Sequence, residues 1–254
     1  MAESEPSEIV IPPRPLTNRR SASGTTRLVA LLEVIVCSDF PTQIAIGGLL
    51  TVAGVAPLTA DGGLSLRYVT ALSLIDTALL VSLIFVFLRA SGERPADVFL
   101  GKRRIDAEIV SGLWLSLAAF VIAVTALGII MQVAPGLHTV PVNPLQGLMQ
   151  RPIDAIVFAV VVVLAGGVRE EIQRAFLLRR FEQSLGGPIV GVIVTSVVFG
   201  SGHFAQGADA MIVTAVLGAF WGIIYLRRRS AVAPIVSHSG FNLLQLIQFV
   251  TFGR

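Results

Sequence analysis

Two acids, two histidines and an amide in the C-terminal half of the chain have spacings that helices can bring together. Glu170 and Glu171 are adjacent at the end of a long apolar stretch, and His203 ends a second one. His238 and Asn242 are four residues apart, so on a helix they project from the same face. A carboxylate and a histidine that share a water can activate it as a nucleophile. Intramembrane Glu and His residues can also relay protons, so the residue types alone leave the chemistry of the site open.

A bland explanation exists for each of these residues taken singly. A charge on a transmembrane segment costs at least ~2.5–3.5 kcal/mol and usually faces the bundle interior. On a helix at the membrane surface, however, Glu170 and Arg174 would form an ordinary solvated pair. A single histidine in an apolar helix often bonds only a backbone carbonyl. The coincidence of several polar groups on neighbouring helices is what favours one shared site.

Composition defines the helices that must position these groups. Hydrophobic residues make up 54% of the 254 residues, charged residues only 14%, and the mean hydropathy is +0.81; a soluble domain has about 25% charged residues. Several runs approach or exceed the ~17–25 apolar residues of a spanning helix: residues 69–88, 110–134, 188–202, 210–226 and 231–252. We predict an all-α, polytopic transmembrane helical bundle of seven or eight helices with the active site inside the bundle. The uncertainty in number comes from residues 28–57, which form one span or two.

The N-terminus differs in kind from the rest. Residues 1–26 contain four prolines and mixed charge, which predicts a disordered tail, followed by a transmembrane domain over residues 27–254. Arginine and lysine concentrate in the tail, in residues 89–104 and in two later clusters at 179–180 and 227–229. By the positive-inside rule these connections share the cytoplasmic side. The prediction is an integral multi-pass membrane protein, of the plasma or inner membrane if prokaryotic, with a cytoplasmic N-terminus.

A helical hairpin sets the expected depth of the polar residues. Residues 153–185 can form one helix, which the Gly186–Gly187 pair ends. Glu170 lies sixteen residues before Gly186 and His203 sixteen after Gly187, so both lie about 24 Å from the turn. His238 lies about 14 Å from the arginine cluster at 227–229. The first hairpin must therefore project about 10 Å further if the histidines share a site. We expect Glu170 to point at His203 in a water-filled cavity reached from the cytoplasm.

Four other polar residues have no evident partner. Glu33, Asp76 and Asp154 are isolated in apolar stretches, and we expect them to line polar seams or interfaces. His138 lies in a loop rich in proline and glycine. The single cysteine, Cys37, excludes an internal disulfide and a metal site built from several cysteines.

Three segments resemble the signature motifs of a known family. EEIQR (170–174), FGSGH (199–203) and HSGFN (238–242) are similar to the motifs of the CPBP (Abi) family of CAAX-type intramembrane endopeptidases and bacteriocin-processing enzymes. The family pattern is Glu-Glu-x-x-x-Arg, then Phe-x-x-x-His, then His-x-x-x-Asn or Asp. The resemblance covers roughly residues 150–250, and the second and third motifs fit it.

The first motif departs from the family pattern. Arg174 follows Glu171 by three residues, where the pattern has four. Alignment on the arginine puts Arg169 at the first acidic position, whereas alignment on the acids keeps Glu170 there. We prefer the acids because the hairpin arithmetic pairs Glu170 with His203.

The resemblance implies a role for each motif residue. Glu170 would be the general base and His203 would orient the same water, while His238 and Asn242 would stabilise the oxyanion. The supporting residues would be Glu171, Arg174 and Phe199, with Glu171 and Arg174 holding Glu170 in place. No cofactor is favoured. The alternative is a catalytic Zn²⁺ held by Glu170, His203 and His238, since the family is also described as metalloproteases and this donor set permits zinc.

The resulting functional hypothesis is an intramembrane endopeptidase that cleaves a membrane-associated or precursor protein or peptide, in CAAX-type or bacteriocin-type processing. Its partners would be that peptide or membrane-protein substrate and the lipid bilayer, with no nucleic acid. One alternative is a proton-coupled transporter that uses intramembrane Glu and His, although no inverted repeat is visible. Another is a catalytically degenerate family member that binds a partner without cleaving it. Substrate identity and oligomeric state stay open.

Overall fold

The computed structural model describes residues 23–253, and this part of the chain is a bundle of helices. Most of the predicted disordered tail, residues 1–22, lies outside the described residues. The helices are α1 (Gly24–Val36), α2 (Phe40–Val52), α3 (Leu66–Ala90), α4 (Pro95–Phe99), α5 (Ile105–Val133), α6 (Pro152–Val161), α7 (Glu170–Ser184), α8 (Pro188–Ser201), α9 (Ala208–Arg228) and α10 (Val232–Phe252). A π-helical segment, Val162–Arg169, joins α6 to α7.

The predicted all-α membrane bundle is confirmed. Within residues 23–253, four helices are long and apolar enough to cross a membrane: α3, α5, α9 and the continuous helix Pro152–Ser184. Helices α1 and α2 together form a fifth candidate span, bent by 41° at the break between them. The shorter apolar helix α8 and the 21-residue helix α10 complete the bundle. The protein is therefore an integral, multi-pass membrane protein.

The helices alternate in direction between two ends of the bundle. At one end, which we call the arginine-rich end, the turn after α3, the turn between α7 and α8 and the turn between α9 and α10 meet through ion pairs. Helix α1 runs antiparallel to α7, because contacts progress from Glu33–Arg180 through Cys37–Gln173 to Asp39–Arg169. The N-terminus of α1 therefore lies at the arginine-rich end.

The turn between α7 and α8 forms at the predicted glycines. Gly186 and Gly187 have φ values of +101° and +96°, a region that residues with a Cβ rarely adopt. The N–H of Gly187 donates to the carbonyl of Phe181 at 2.9 Å and so closes the end of α7. Pro188 then occupies the first turn of α8, where its missing N–H costs nothing.

This turn lies close to the turn between α9 and α10. Both terminal nitrogens of Arg229, which ends α9, donate to Glu182 at 2.5 and 2.7 Å. Glu182 precedes the two turn glycines by four and five residues, so this ion pair joins the last turn of α7 to the end of α9. The offset of about 10 Å between the two turns stays a prediction.

The residues that lack partners in the sequence find them in the fold. Glu33 pairs with Arg180, Asp76 with Arg169 and Asp154 with Arg151. His138 donates from Nδ1 to the buried Asp209 at 2.7 Å, at the end of the bundle opposite the arginine-rich end. Burial of a lone charge is costly unless it is paired and hydrogen-bonded, so these partners explain why the apolar stretches contain acids.

Candidate active site

Glu171 is the most buried acid of the first motif. Its side chain is 1% exposed and accepts from two donors: the Arg174 guanidinium, one turn along α7, and Nδ1 of His238 on α10, at 2.8 Å. A buried carboxylate requires such partners, because an unpaired charge in a low-dielectric interior is strongly destabilising. The spacing of three residues between Glu171 and Arg174 is thus short enough for a direct ion pair. This contact supports alignment of the motif on its acids.

His238 is held on two sides. The Trp221 ring lies parallel to the imidazole, with centroids 3.8 Å apart and an interplanar angle of 16°. The Trp221 indole N–H in turn donates to Ser237 Oγ at 3.0 Å, which fixes the indole. Since Nδ1 of His238 donates to Glu171, its Nε2 remains for chemistry and lies 3.8 Å from Oε2 of Glu170.

Glu170 differs from Glu171 in that its Oε2 has no direct hydrogen bond in the described part of the chain. Its side chain is 16% exposed, and Oε1 accepts from Arg169 Nη2 at 3.3 Å. The 3.8 Å between Oε2 and His238 Nε2 exceeds a direct hydrogen bond. The same separation suits one water bonded to both atoms. Glu171 contacts His238, and Arg169 contacts Glu170. That Glu171 and Arg174 hold Glu170 in place stays a prediction.

His203 lies in the turn that follows α8 and not within the helix, since α8 ends at Ser201. Its Nδ1 donates to the Phe199 carbonyl at 2.9 Å, leaving Nε2 available. The Phe199 ring contacts both histidines edge-on, with centroids 5.0 Å from His203 and 5.9 Å from His238. Within residues 23–253 no hydrogen bond or ion pair joins His203 to Glu170. Phe199 and His238 instead connect them.

Asn242 lies one helical turn beyond His238 on the same face of α10, as predicted. Its side-chain amide donates to the carbonyl of Val162 in the π-helical segment at 3.2 Å. A Cβ at Gly166 would come within 2.6 Å of this amide, and a Cβ at Gly167 within 1.9 Å of Ser239 Oγ. The two glycines therefore let α10 approach the segment that precedes Glu170. Such π-helical segments are frequent at functional sites.

Arg174 packs on the aromatic residues of the site as well as on Glu171. Its guanidinium carbon lies 4.5 Å from the centroid of Phe199 and 5.7 Å from that of Trp221. Contacts of a cation with ring faces at these distances are attractive. The predicted supporting residues Arg174 and Phe199 thus lie together beside His238.

The proposed zinc ligands do not converge. The donor types suit zinc, and both histidines bind a carbonyl or carboxylate through Nδ1, as metal-ligating histidines do. Among the described residues, however, no three side chains of His, Cys, Asp and Glu are grouped so that they could hold a metal ion. No catalytic step is therefore derived through a metal.

A cavity of about 480 Å³ opens at the arginine-rich end rather than at the predicted residues. Its lining combines acidic and basic side chains with Val98 and Tyr225, and the charged residues are Glu93, Arg94, Asp97, Arg179 and Arg229. None of the predicted catalytic residues lines it. The predicted cavity around Glu170 is thus not this one.

Comparison with known proteins addresses the segment that holds all these motifs. Residues 152–244 match the family model described as type II CAAX prenyl endopeptidase, Rce1-like. This segment belongs to the CAAX-type endopeptidase family. The match begins at α6 and ends two residues after Asn242. No curated protein and no solved structure matches the chain.

The family assignment confirms the resemblance that the three motifs carry. The chain is a protease, and in general terms a CAAX-type intramembrane endopeptidase. The family acts on prenylated protein or peptide substrates in membranes. Helices α1 to α5 lie outside the matched segment.

Proposed function

We propose that this protein cleaves peptide bonds of a membrane-associated or precursor protein with a water activated by Glu170. The observation that carries the proposal is the 3.8 Å separation of Glu170 Oε2 and His238 Nε2. Beside this pair, Arg174 Nη1 and His238 Nδ1 both donate to Glu171 Oε1. A general base must lie within reach of the proton that it removes, directly or through one water.

In the proposed reaction, Glu170 Oε2 removes a proton from the water, whose oxygen attacks the carbonyl carbon of the scissile bond. The tetrahedral oxyanion accepts hydrogen bonds from His238 Nε2–H and from the second amide hydrogen of Asn242. Glu170 then delivers the proton to the leaving amine as the C–N bond breaks. To donate from both nitrogens His238 must be an imidazolium, and the Glu171 carboxylate supplies its countercharge. His203 Nε2 orients the attacking water.

The orientation of the protein belongs to the same proposal. Most of the arginines lie in four clusters, which are residues 14–27, 89–104, 179–180 and 227–229, and segments rich in arginine at the membrane boundary remain in the cytoplasm. The N-terminus would then be cytoplasmic, and the substrate would be a prenylated CAAX-type protein end or a processed precursor. Neither a metal nor another cofactor enters the reaction as proposed.

The test is proteolysis of a fluorogenic prenylated peptide by the purified protein in lipid nanodiscs. We expect the wild type to cleave it, and Glu170→Gln, His203→Ala and His238→Ala each to abolish cleavage while the protein still inserts and folds. Glu182→Gln, which alters the exposed pair with Arg229, is the matched control. Wild-type turnover by Glu170→Gln would show that the base is wrongly assigned.

A second measurement addresses zinc. The same protein, treated with chelator and analysed for metal, should retain its activity without added zinc. Stoichiometric zinc that tracks activity would make Glu170, His203 and His238 the ligands. A wild type that binds the peptide without cleaving it would instead support the degenerate family member.

A further inference from the structure

Arg169 is a buried cation that the proposed reaction does not use. Its side chain is 5% exposed, and it connects three carboxylates: Nη1 binds Asp39 and Asp76, and Nη2 donates to Glu170 Oε1 at 3.3 Å. Its Nε donates to the carbonyl of Ala165 at 3.3 Å. Every nitrogen of this guanidinium therefore has a partner, and one of these partners is the proposed base.

Asp76 belongs to α3, in the half of the chain outside the family match. It is fully buried, and its Oδ1 has no hydrogen-bond partner within the described residues. Arg169 is the cation that balances its charge. A carboxylate buried in a membrane-spanning helix is costly, and Asp76 adopts this position beside a single guanidinium. The pair therefore fixes α3 against the end of the π-helical segment.

Asp39 approaches Arg169 from the break between α1 and α2. Its φ of +80° is unusual for a residue with a side chain, and such conformations persist where the surroundings hold them. Although Asp39 is the N-cap of α2, its side chain makes no capping hydrogen bond. One oxygen binds Arg169 Nη1 at 2.5 Å and the other accepts from Gln43 at 2.5 Å.

We infer that Arg169, anchored by Asp39 and Asp76, is a positioning residue that fixes the carboxylate of Glu170 for catalysis. Holding Oε1 turns Oε2 toward His238 Nε2. The N-terminal half of the chain thereby takes part in the site, although it contains none of the family motifs. The inference rests on the proposed function and adds to it a residue that acts through Glu170.

The geometry of the Arg169 guanidinium makes it possible to distinguish positioning of Glu170 from simple charge balance. A planar fork reaches several acceptors in fixed directions, whereas the lysine ammonium is a single flexible point charge. Arg169→Lys keeps a cation beside Asp39 and Asp76 and should therefore fold. It cannot also hold Glu170 Oε1, so the base loses its fixed orientation. Misplacement of a reacting group by about 1 Å can cost about a hundredfold in rate.

The test compares Arg169→Lys with Arg180→Lys, a buried arginine on α7 that pairs with Glu33 and Glu93 and does not touch Glu170. The peptide assay in nanodiscs gives kcat and KM per folded molecule. We expect kcat of Arg169→Lys to fall about tenfold to a hundredfold, with KM within about twofold of the wild type. Arg180→Lys should retain both constants within about twofold.

Every result of this experiment bears on the role of Arg169. A kcat of Arg169→Lys equal to that of Arg180→Lys overturns the inference and leaves the proposed function intact. If Arg169→Lys does not fold, Asp39→Asn, which weakens a single contact of Arg169, replaces it; an unchanged kcat there overturns the inference equally. Absence of cleavage by the wild type overturns the proposed function, and this inference with it.

Discussion

The two ends of α7 contain the same residue types and use them differently. At the start of the helix, the side chain of Glu170 is 16% exposed, and its Oε2 has no direct hydrogen bond within residues 23–253. Near its end, the buried Arg180 binds Glu33, Glu93, Gln183 and Ser91. Charge and burial alone therefore do not distinguish a reactive group from a structural one. Under the proposed mechanism, the distinguishing feature is Glu170 Oε2, which has no direct hydrogen bond among the described residues and lies 3.8 Å from His238 Nε2.

The end of α7 is also tied to the turn after α3. Burial raises the pKa of Glu93, but hydrogen bonds from Arg179 and Arg180 outweigh it, so that the pKa of this carboxyl lies below its ordinary value of 4.5. The charges here stabilise one another and the fold. Four predictions test this difference between the two ends of α7.

Glu171→Gln should damage both catalysis and stability. The substitution removes the charge that balances buried Arg174 and His238, and breaking a buried pair costs about 3–5 kcal/mol. Thermal unfolding in detergent should show a clear loss of Tm, and the peptide assay no cleavage. Glu170→Gln is the comparison, because it should abolish cleavage with Tm unchanged. Equal Tm values for the two variants would contradict the claim that Glu171 stabilises the fold more than Glu170 does.

Arg180→Met should damage stability alone. Methionine fills a similar volume but leaves Glu33, at 9% side-chain exposure, without its cation, at a cost of about 3–5 kcal/mol. The expected result is a lowered Tm, with kcat per folded molecule within about twofold of the wild type. A large fall in kcat would mean that the two ends of α7 are coupled.

Asn242→Ala should leave partial activity. Loss of one oxyanion donor costs about 2.7–4 kcal/mol, which lowers kcat about a hundredfold to a thousandfold. Ser239→Ala on the same helix is a suitable control, since its buried hydroxyl has no hydrogen-bond partner among the described residues. Equal kcat values for the two variants would remove Asn242 from the mechanism.

Glu93 should make stability sensitive to acid. Its pKa is lowered in the folded state, so the unfolded chain binds the proton more readily. The stabilisation is complete above the ordinary pKa of 4.5 and is lost as the pH falls through the lower folded value. Tm measured from neutral to acid pH should therefore fall less in Glu93→Gln than in the wild type. Parallel Tm curves would contradict this role.

Sequence patterns anticipated the part of the site that lies on regular helices. The turn at Gly186–Gly187 and the four-residue spacing of His238 and Asn242 follow from local backbone rules, so their placement could be read from residue order. The i,i+3 contact of Glu171 with Arg174 is likewise local. The number of residues from the Gly186–Gly187 turn predicted a similar depth for Glu170 and His203. It could not show that Phe199 and His238 lie between them.

The contacts across the bundle could not be derived in this way. Trp221 belongs to none of the motifs, yet it stacks on His238. The charge of Asp76 in an apolar helix indicated that this residue has a partner. The sequence did not indicate that the partner is Arg169. The sequence around Gly166 and Gly167 did not indicate that α10 packs against these two glycines.

The sequence by itself determined the helical membrane class, the family and the motif residues, because hydropathy, helical periodicity and turn glycines are local properties. Tertiary structure decided which acid is free and which is buried. Glu170 and Glu171 are chemically identical neighbours, separated by about 100° around one helix. The packing of α10 against that helix brings His238 to both acids, and the packing of α3 brings Asp76 to Arg169, the partner of Glu170.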